Sequence, residues 1–156
     1  MACRERGRGF YDVKSHVSSR IFRRYVQSLP ENIMAESIKY IMLDTHFSER
    51  RGNLTVVEDF PFKVKRAFWV YNIPLDEMRG GHSHKKCHQF FIAVCGAVIV
   101  KASEDKSYIL DCPDVGLYVP PMNLINYIPL EEETTLLIFA SEKFSEEDYV
   151  YGSNDG

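Results

Sequence analysis

Short runs of apolar residues, separated by turn-forming and charged residues, make up most of the chain after Glu36. Runs of about four to eight alternating or contiguous apolar positions with such boundaries are typical of β-strands. About eight to ten such strands, spaced about 8–12 residues apart with little helix between them, indicate an all-β sandwich or barrel. The predicted strands cover residues 38–43, 54–57, 64–71, 90–95, 97–101, 108–110, 115–119, 124–128 and 134–140.

Two of these strands, at residues 90–94 and 136–140, are apolar along their whole length. We expect such strands to be buried on both faces, which a double-sheet jelly roll allows. Gly96 is expected to turn the chain into the following strand and so to form a hairpin. Trp69, within the aromatic-rich third strand, is expected to be a large core residue. The pattern therefore predicts an all-β jelly roll with a single core.

The composition narrows the classes of function. The chain has 156 residues, 45% of them hydrophobic, which suits one packed domain. A net charge of -3 gives no reason to expect nucleic acid as a partner. The four cysteines lack the paired spacing of a zinc knuckle or a disulfide framework, and free thiols suit the cytoplasm. No run of about 18 apolar residues is present, so no membrane span is expected.

The first 33 residues differ from the rest, with seven Lys or Arg against three Asp or Glu. Three interpretations are open: a transit peptide, although no cleavage signal is visible; a nucleic-acid arm, although few aromatic residues are interleaved; or upstream sequence, with Met34 as the natural start. We favour the last interpretation. We therefore expect a basic N-terminal extension at residues 1–36, one domain at residues 37–151 and a short tail at residues 152–156.

The densest concentration of reactive side chains follows Arg79 in the sequence Arg-Gly-Gly-His-Ser-His. In an extended chain, side chains two residues apart point to the same face, so His82 and His84 are expected to converge. We expect residues 75–81 to form a loop, the glycines to turn the chain, and the pair to open the strand at residues 90–95. Two imidazoles at one place make either half of a metal site or a pair of proton-transfer groups.

The spacing after the histidines resembles the first motif of the cupin jelly roll, which has His-x-His, an acidic metal ligand and then a glycine at the strand end. The chain carries Gln89 at the acidic position and Gly96 at the strand end. The last ligand of the second cupin motif falls near Ile125. The resemblance thus implies that an amide and an alkyl group replace two metal ligands, so we expect no metal. His88 is a further candidate ligand, but a strand would direct it away from the pair.

A larger set of motifs resembles one family of cupins, the sugar 3,4-ketoisomerases (WxcM-like C-terminal domains), which act on dTDP-4-oxo-6-deoxyglucose. The resemblance covers about residues 38–150. Each motif is weak alone, and the set in this order is specific. The motifs are Arg51-Gly52-x-Leu54-x-x-x-Glu58, Pro61-Phe62-x-Val64-Lys65-Arg66, Arg79-Gly80-x-His82-x-His84-Lys85, Gln89-Phe90, Gly116-Leu117-Tyr118-Val119-x-Pro121 and Leu137-x-x-x-Ser141-x-x-Phe144-x-Glu146-x-Asp148-Tyr149.

This resemblance implies an isomerase without metal or cofactor, which moves a carbonyl from C4 to C3 through an enediol(ate). His82 and His84 fit the base near C3 and the donor for C4, and which histidine has which role is open. Guanidinium groups match phosphate oxygens in pairs. The substrate-binding residues implied are Arg51, Arg66, Arg79 and Gln89.

The resemblance further implies a dTDP-linked 4-keto-6-deoxysugar as substrate, a place in deoxysugar and surface-glycan (lipopolysaccharide) synthesis, and a homodimer. Two departures alter the expected pocket: Phe68 and Trp69 stand where the family often has tyrosines, and Leu124 and Ile125 replace a polar cluster. Two alternatives stay open. One is a nucleotide-sugar-binding cupin without catalysis, and the other is a metal-dependent cupin oxygenase, which Gln89 and Ile125 disfavour.

Overall fold

The computed structural model describes residues 37–102 and 106–151. In these residues the chain forms twelve β-strands and a single 3₁₀ turn, so the predicted all-β class is confirmed. The strands are β1 (Lys39–Met42), β2 (Asp44–His46), β3 (Leu54–Val56), β4 (Arg66–Tyr71), β5 (Arg79–His84), β6 (Gln89–Cys95), β7 (Val98–Ala102), β8 (Lys106–Leu110), β9 (Val115–Val119), β10 (Ile125–Pro129), β11 (Thr135–Ala140) and β12 (Tyr149–Tyr151), with the 3₁₀ turn at Glu146–Asp148.

The strands form two five-stranded antiparallel sheets and one short hairpin. The first sheet has the order β1-β9-β6-β11-β4, the second has the order β12-β5-β10-β7-β8, and β2 pairs with β3. The inner faces of the two sheets meet, as the aromatic contact between Phe91 in β6 and Tyr127 in β10 shows, with ring centroids 6.3 Å apart. Apolar side chains from both sheets, such as Ile138 and Val100, are almost fully buried between them. This is the double-sheet arrangement that the strand pattern predicts.

A second apolar cluster lies on the other face of the first sheet. Phe90 in β6 is buried there, and Phe60, in the segment after β3, packs on its ring edge at a centroid distance of 5.7 Å. Phe139 in β11 joins them, 4.7 Å from the Phe60 ring. The central strand β6 is therefore buried on both faces as far as Ala93, as predicted. In β11 buried residues alternate with half-buried ones, so the prediction holds for only one face of that strand.

The histidine pair ends a strand and does not open one. His82 and His84 are the last residues of β5, and a separate strand, β6, begins at Gln89. The expected loop at residues 75–81 is likewise wrong for its last three residues, which already belong to β5. The reason is a β-bulge: Ile125 pairs with His82 while the next residue of β10 pairs with Gly80, so the intervening glycine has no partner.

Trp69 is exposed, and its predicted place in the core is wrong. Residues of β4 alternate strictly between half-buried and exposed, and Trp69 is 61% exposed. Trp69 and Tyr71 share the exposed face of this strand, and Tyr71 is 57% exposed. Phe68, on the opposite face, points into the molecule.

The predicted N-terminal extension and the C-terminal tail lie outside the described residues. Within residues 37–102 and 106–151, no helix has the length and apolar character needed to cross a membrane.

Candidate active site

Strand β5 presents His82 and His84 on one face, as the period of a strand requires. Their imidazole rings lie edge to face with centroids 5.1 Å apart. Strand β12 pairs with β5 and places Tyr149 opposite His84. The Tyr149 ring stacks on His82 at 4.2 Å and meets His84 edge-on at 4.8 Å. The three rings therefore hold each other in fixed positions, and the predicted convergence of the two histidines is found.

Asp148 fixes the proton positions of His84. The Nδ1–H of His84 donates to Asp148 Oδ2 at 3.0 Å, and the other carboxylate oxygen accepts the backbone N–H of Lys86 at 3.0 Å. His84 is 6% exposed and Asp148 is 5% exposed. Because an ionised carboxylate can only accept, Nδ1 carries the proton and Nε2 keeps its lone pair. That Nε2 is buried and has no hydrogen-bond partner among the described residues.

His82 is oriented by its own backbone. Its Nδ1 lies 3.0 Å from the carbonyl oxygen of Gly80, which can only accept, so Nδ1 carries a proton here as well. The bulge at Gly81 brings the two groups together. Both imidazoles thus keep Nε2 as the nitrogen available for chemistry.

Burial lowers the pKa of His84 below its ordinary value. The hydrogen bond that His84 donates to Asp148 opposes this effect, while the charges of His82 and Arg66 add to it. The imidazole is therefore held neutral at near-neutral pH and is able to accept a proton. Burial also raises the pKa of the Tyr149 phenol, which keeps its proton and stays a hydrogen-bond donor.

A cavity of about 890 Å³ opens beside His82, between the two sheets, and His84, behind His82, is not among the residues that line it. Its wall combines apolar side chains with a few polar groups, which is the usual character of a small-molecule site. His82 and Tyr149 supply its polar side together with residues from β5, β6 and β10. The side chains that line the cavity include Phe68, Arg79, His82, Gln89, Phe91, Ile125, Tyr127, Ile138 and Tyr149.

Two predicted substrate-binding residues, Arg79 and Gln89, lie in the cavity wall. Arg79 begins β5, and its guanidinium lies near the side chain of Tyr127. Burial raises the pKa of Tyr127, and the nearby guanidinium partly offsets that effect. Gln89 begins β6 and is 6% exposed.

Arg66 lies on the inward face of β4 beside the cavity residue Phe68. Its guanidinium carbon is 4.8 Å from the Phe68 ring centroid and 5.8 Å from that of Phe144. Its Nε is buried without a hydrogen-bond partner among the described residues. Its charge is close enough to lower the pKa values of His84 and Tyr149. Arg66 therefore adds positive potential beside the two imidazoles.

Arg51 occupies a different place from the other predicted binding residues. It lies in the exposed turn between β2 and β3, where its backbone N–H donates to Ser48 Oγ at 3.2 Å. The residues that line the cavity do not include it. Its predicted role in binding substrate stays a prediction.

The positions that carry metal ligands in other cupins surround the same cavity. Ile125 pairs with His82 across β10 and β5, and Gln89 lies in the wall with them. The amide and the alkyl group thus stand where the motif comparison places them. His88 is directed elsewhere: its Nδ1 lies 2.7 Å from the Tyr118 hydroxyl, on the other face of the first sheet.

The sequence motifs contained Asp148 and Tyr149 but gave them no role, and Tyr127 was missed. Asp148 and Tyr149 lie more than 60 residues after the histidines, and only the pairing of β12 with β5 brings them together. In the sequence, the adjacent Asp148 and Tyr149 at the end of the last motif are the feature that could have indicated their role.

The chain is similar to known proteins along most of its length. The family described as FdtA: WxcM-like, C-terminal matches residues 36–155. The TDP-4-oxo-6-deoxy-alpha-D-glucose-3,4-oxoisomerase of Aneurinibacillus thermoaerophilus is 29% identical over 108 residues, which is 65% of this chain and 78% of that protein.

Solved structures of sugar 3,4-ketoisomerases are also similar to this chain. The sugar 3,4-ketoisomerase QdtA from Thermoanaerobacterium thermosaccharolyticum, in complex with TDP, superposes with a TM-score of 0.71 at 33% identity, covering 78% of this chain and 92% of that one. A 3,4-ketoisomerase from Helicobacter canadensis superposes with a TM-score of 0.70 at 28% identity, covering 74% and 91%. The cupin-type jelly roll and the isomerase class predicted from the motifs are both confirmed. The chain belongs to the WxcM-like, C-terminal (FdtA) family and is a sugar isomerase.

Proposed function

We propose that the chain, through its domain at residues 37–151, converts a TDP-linked 4-keto-6-deoxyhexose into the 3-keto isomer, as a step in deoxysugar synthesis. One observation carries the proposal. Two imidazoles, each with Nδ1 engaged and Nε2 left for chemistry, lie at 5.1 Å beside a cavity of about 890 Å³.

The relatives support the choice of substrate. The Aneurinibacillus protein is named for TDP-4-oxo-6-deoxy-alpha-D-glucose, and QdtA was crystallised with TDP. A histidine-to-asparagine variant of QdtA was crystallised with TDP-4-keto-6-deoxyglucose. We therefore expect this chain to bind a TDP-linked sugar of the same kind.

The reaction needs no external oxidant or reductant. A base removes the proton from C3, the electrons of the C3–H bond form the C3=C4 double bond, and the C4 oxygen takes up a proton. The O3–H group of the resulting enediol then loses its proton, C3=O forms, and C4 receives a proton. Only proton transfer and stabilisation of the oxyanion are required of the protein.

We assign the transfer at C3 to His82, because its imidazole lines the cavity. His84, backed by Asp148, then serves the transfer at C4, since the carboxylate stabilises the imidazolium that forms when His84 takes a proton. Tyr149 contacts both rings and keeps its hydroxyl proton, so it suits the role of oxyanion donor.

Positive side chains near the cavity suit the TDP diphosphate. Arg79 lies in the wall and Arg66 lies beside it, and guanidinium groups bind phosphate oxygens in pairs. Gln89 offers an amide to a sugar hydroxyl. We further expect the protein to act in the cytoplasm without a cofactor.

Deuterium exchange at C3 of TDP-4-keto-6-deoxyglucose tests the proposal. The wild-type protein in deuterated water should exchange the C3 proton and form the 3-keto isomer, both followed by NMR. His82→Asn and His84→Asn should each lower the isomerisation rate by about 100-fold or more, the usual scale for losing general acid–base catalysis. The affinity for TDP should change little in both variants, because the arginines bind the diphosphate. His46→Asn, at an exposed histidine in β2, is the matched control.

The pattern of exchange assigns the two roles. Loss of C3 exchange in the His82 variant and its persistence in the His84 variant would support the assignment above, and the opposite pattern would exchange the two roles. If both variants turn over near the wild-type rate, the histidine pair is not the catalytic centre. Binding of the sugar nucleotide without any turnover by the wild type would point to the non-catalytic alternative.

A further inference from the structure

Behind the two imidazoles, three side chains of different chemistry come together in the interior. His84, Cys87 and Asp148 each offer one ligand atom, and these atoms all lie within 4.8 Å of one another. All three residues are buried, and Cys87 is only 2% exposed. The reaction proposed above uses His84 and Asp148 but gives the thiol no task.

The backbone holds the three residues close together. The turn that follows β5 carries His84 and Cys87, and the 3₁₀ turn at Glu146–Asp148 carries the carboxylate. Two hydrogen bonds join these segments: the N–H of Lys85 donates to the Asp148 carbonyl at 2.8 Å, and the N–H of Lys86 donates to its carboxylate at 3.0 Å. A buried imidazole nitrogen, Nε2 of His84, also has no hydrogen-bond partner among the described residues. The cluster is therefore pre-assembled, and Nε2 of His84 is left to take up a proton when Nδ1 binds a metal.

We propose that His84, Cys87 and Asp148 form a site for Zn²⁺, and that zinc at this site inhibits the isomerase. A thiolate, an imidazole and a carboxylate form the ligand set that a borderline-soft divalent cation prefers, whereas Mg²⁺ and Ca²⁺ prefer oxygen ligands alone. Tetrahedral zinc with bonds of about 2.0–2.3 Å places its ligand atoms roughly 3.3–3.8 Å apart. The three side chains therefore need to approach by about 1 Å, and water completes the coordination.

Binding replaces one bond by another without redox chemistry. The S–H bond of Cys87 and the Nδ1–H bond of His84 break and both protons go to solvent, Nε2 of His84 takes up one proton, and the S–Zn and Nδ1–Zn bonds form. Asp148 and His84 then hold the metal and no longer hold each other in the hydrogen bond that orients the imidazole. Inhibition rests on the proposed function, whereas occupation of the site by metal does not. The zinc is thus an inhibitor that acts by occupying the proton-transfer pair.

Cobalt is the probe, because a Co²⁺–thiolate bond absorbs in the near ultraviolet and zinc does not. The full chain, stripped of metal and reduced, is titrated with Co²⁺ and then with Zn²⁺. We expect a saturable charge-transfer band that Zn²⁺ removes. Cys87→Ser should abolish the band, and it should weaken zinc binding by more than the roughly 10- to 100-fold typical of losing an outer-shell partner. Cys95→Ser is the matched control and should keep the band.

A second variant tests the site without changing Cys87, in case Cys87→Ser does not fold. A chain in which Ser replaces Cys3, Cys95 and Cys112 retains only the buried thiol and should still give the full band. A band that persists in Cys87→Ser, or no saturable band below about 1 mM cobalt in the wild type, would overturn the site.

Inhibition is measured separately, as the ratio of the rate with zinc to the metal-free rate of the same variant. Zinc should inhibit the wild type and Cys95→Ser strongly and Cys87→Ser weakly. Equal inhibition of all three would overturn the regulatory part of the proposal. If the protein has no isomerase activity at all, the proposed function fails while the cobalt band still decides whether the metal site exists.

Discussion

At the residue scale, the buried side chain of Asp148 determines the orientation and the tautomer of His84. Its two oxygens accept from two separate donors, the His84 ring and the Lys86 backbone, and both bonds are 3.0 Å long. An anion with both oxygens engaged in a buried place is held firmly, and it holds the imidazole in one tautomer. An asparagine at this position would have only one acceptor oxygen, so it could not accept from both the His84 ring and the Lys86 backbone in the same way.

Replacing Asp148 by Asn should therefore lower the isomerisation rate by about 10- to 100-fold, the scale found when a partner that orients a metal-binding imidazole is lost. Because the carboxylate opposes the lowering of the His84 pKa, its removal should lower that pKa further. The measurement is the rate as a function of pH, in which the acidic limb should move to lower pH. Glu146→Gln, an exposed acid in the same 3₁₀ turn, should leave the profile unchanged. An unshifted profile in the Asp148 variant would mean that the carboxylate serves packing alone.

The pKa of His84 also links stability to pH. The folded protein holds this pKa below the value of about 6.5 found in unfolded chains, so between the two values the unfolded chain binds more protons. Stability contributed by neutral His84 is complete above about pH 6.5 and declines as pH falls towards the folded pKa. Urea unfolding at about pH 7.5 and about pH 5.5 should show a larger loss for the wild type than for His84→Gln. Equal losses would assign the pH dependence to other groups.

Sequence reasoning found the histidines and not their partner, for a physical reason. His82 and His84 are neighbours in the chain, so strand geometry alone brings them together. Asp148 is 64 residues away from His84, and its contact depends on the pairing of β12 with β5. Such pairing is a property of the whole sheet, and the spacing of neighbouring residues does not reveal it.

At the scale of elements, the bulge in β5 positions the active imidazoles. Gly80 and Gly81 both have positive φ, at 106° and 75°. A Cβ added at Gly80 would collide with the backbone oxygen of Ile125, whereas one added at Gly81 would meet only Asn126 Oδ1 at 3.7 Å. The first glycine is thus required for close approach of β10, and the second for backbone conformation.

Two alanine variants separate these requirements. Gly81→Ala should cost about 1 kcal/mol, the usual penalty for a side chain in the left-handed region. Gly80→Ala should cost about 3 kcal/mol or more, since β10 must also move, and it should disturb the cavity wall at Ile125. Urea unfolding curves and TDP affinity would measure both effects. Similar values for the two variants would contradict the distinction between them.

The strand pattern predicted most elements, because alternation of apolar and polar residues is a local signal. It missed β2, β5 and β12, and the predicted hairpin at Gly96 is wrong because β6 and β7 lie in different sheets. The paired glycines were interpreted as a turn, although a bulge within a strand also requires positive φ. Large size and apolar character predict Trp69 in the core, whereas it lies on the exposed face of β4. Which face of a strand is buried depends on what packs over it, and this is not a local property of the sequence.

At the scale of the whole molecule, we expect a homodimer. The family resemblance implies one, and an exposed aromatic edge such as β4, with Trp69 and Tyr71, is a feature that proteins usually cover. Light scattering over micromolar concentrations should give twice the mass of one chain. A monomer throughout that range would contradict the expectation.

Trp69 gives the molecule an optical property that its fold class does not require. It is the single tryptophan of the chain, it is 61% exposed, and it borders the cavity. Indole emission shifts in colour and intensity when water around the ring is displaced. A change at this one side chain is therefore visible without background from another tryptophan. The arrival of a sugar nucleotide, or of a second chain along β4, can be followed by the intrinsic fluorescence of unlabelled protein.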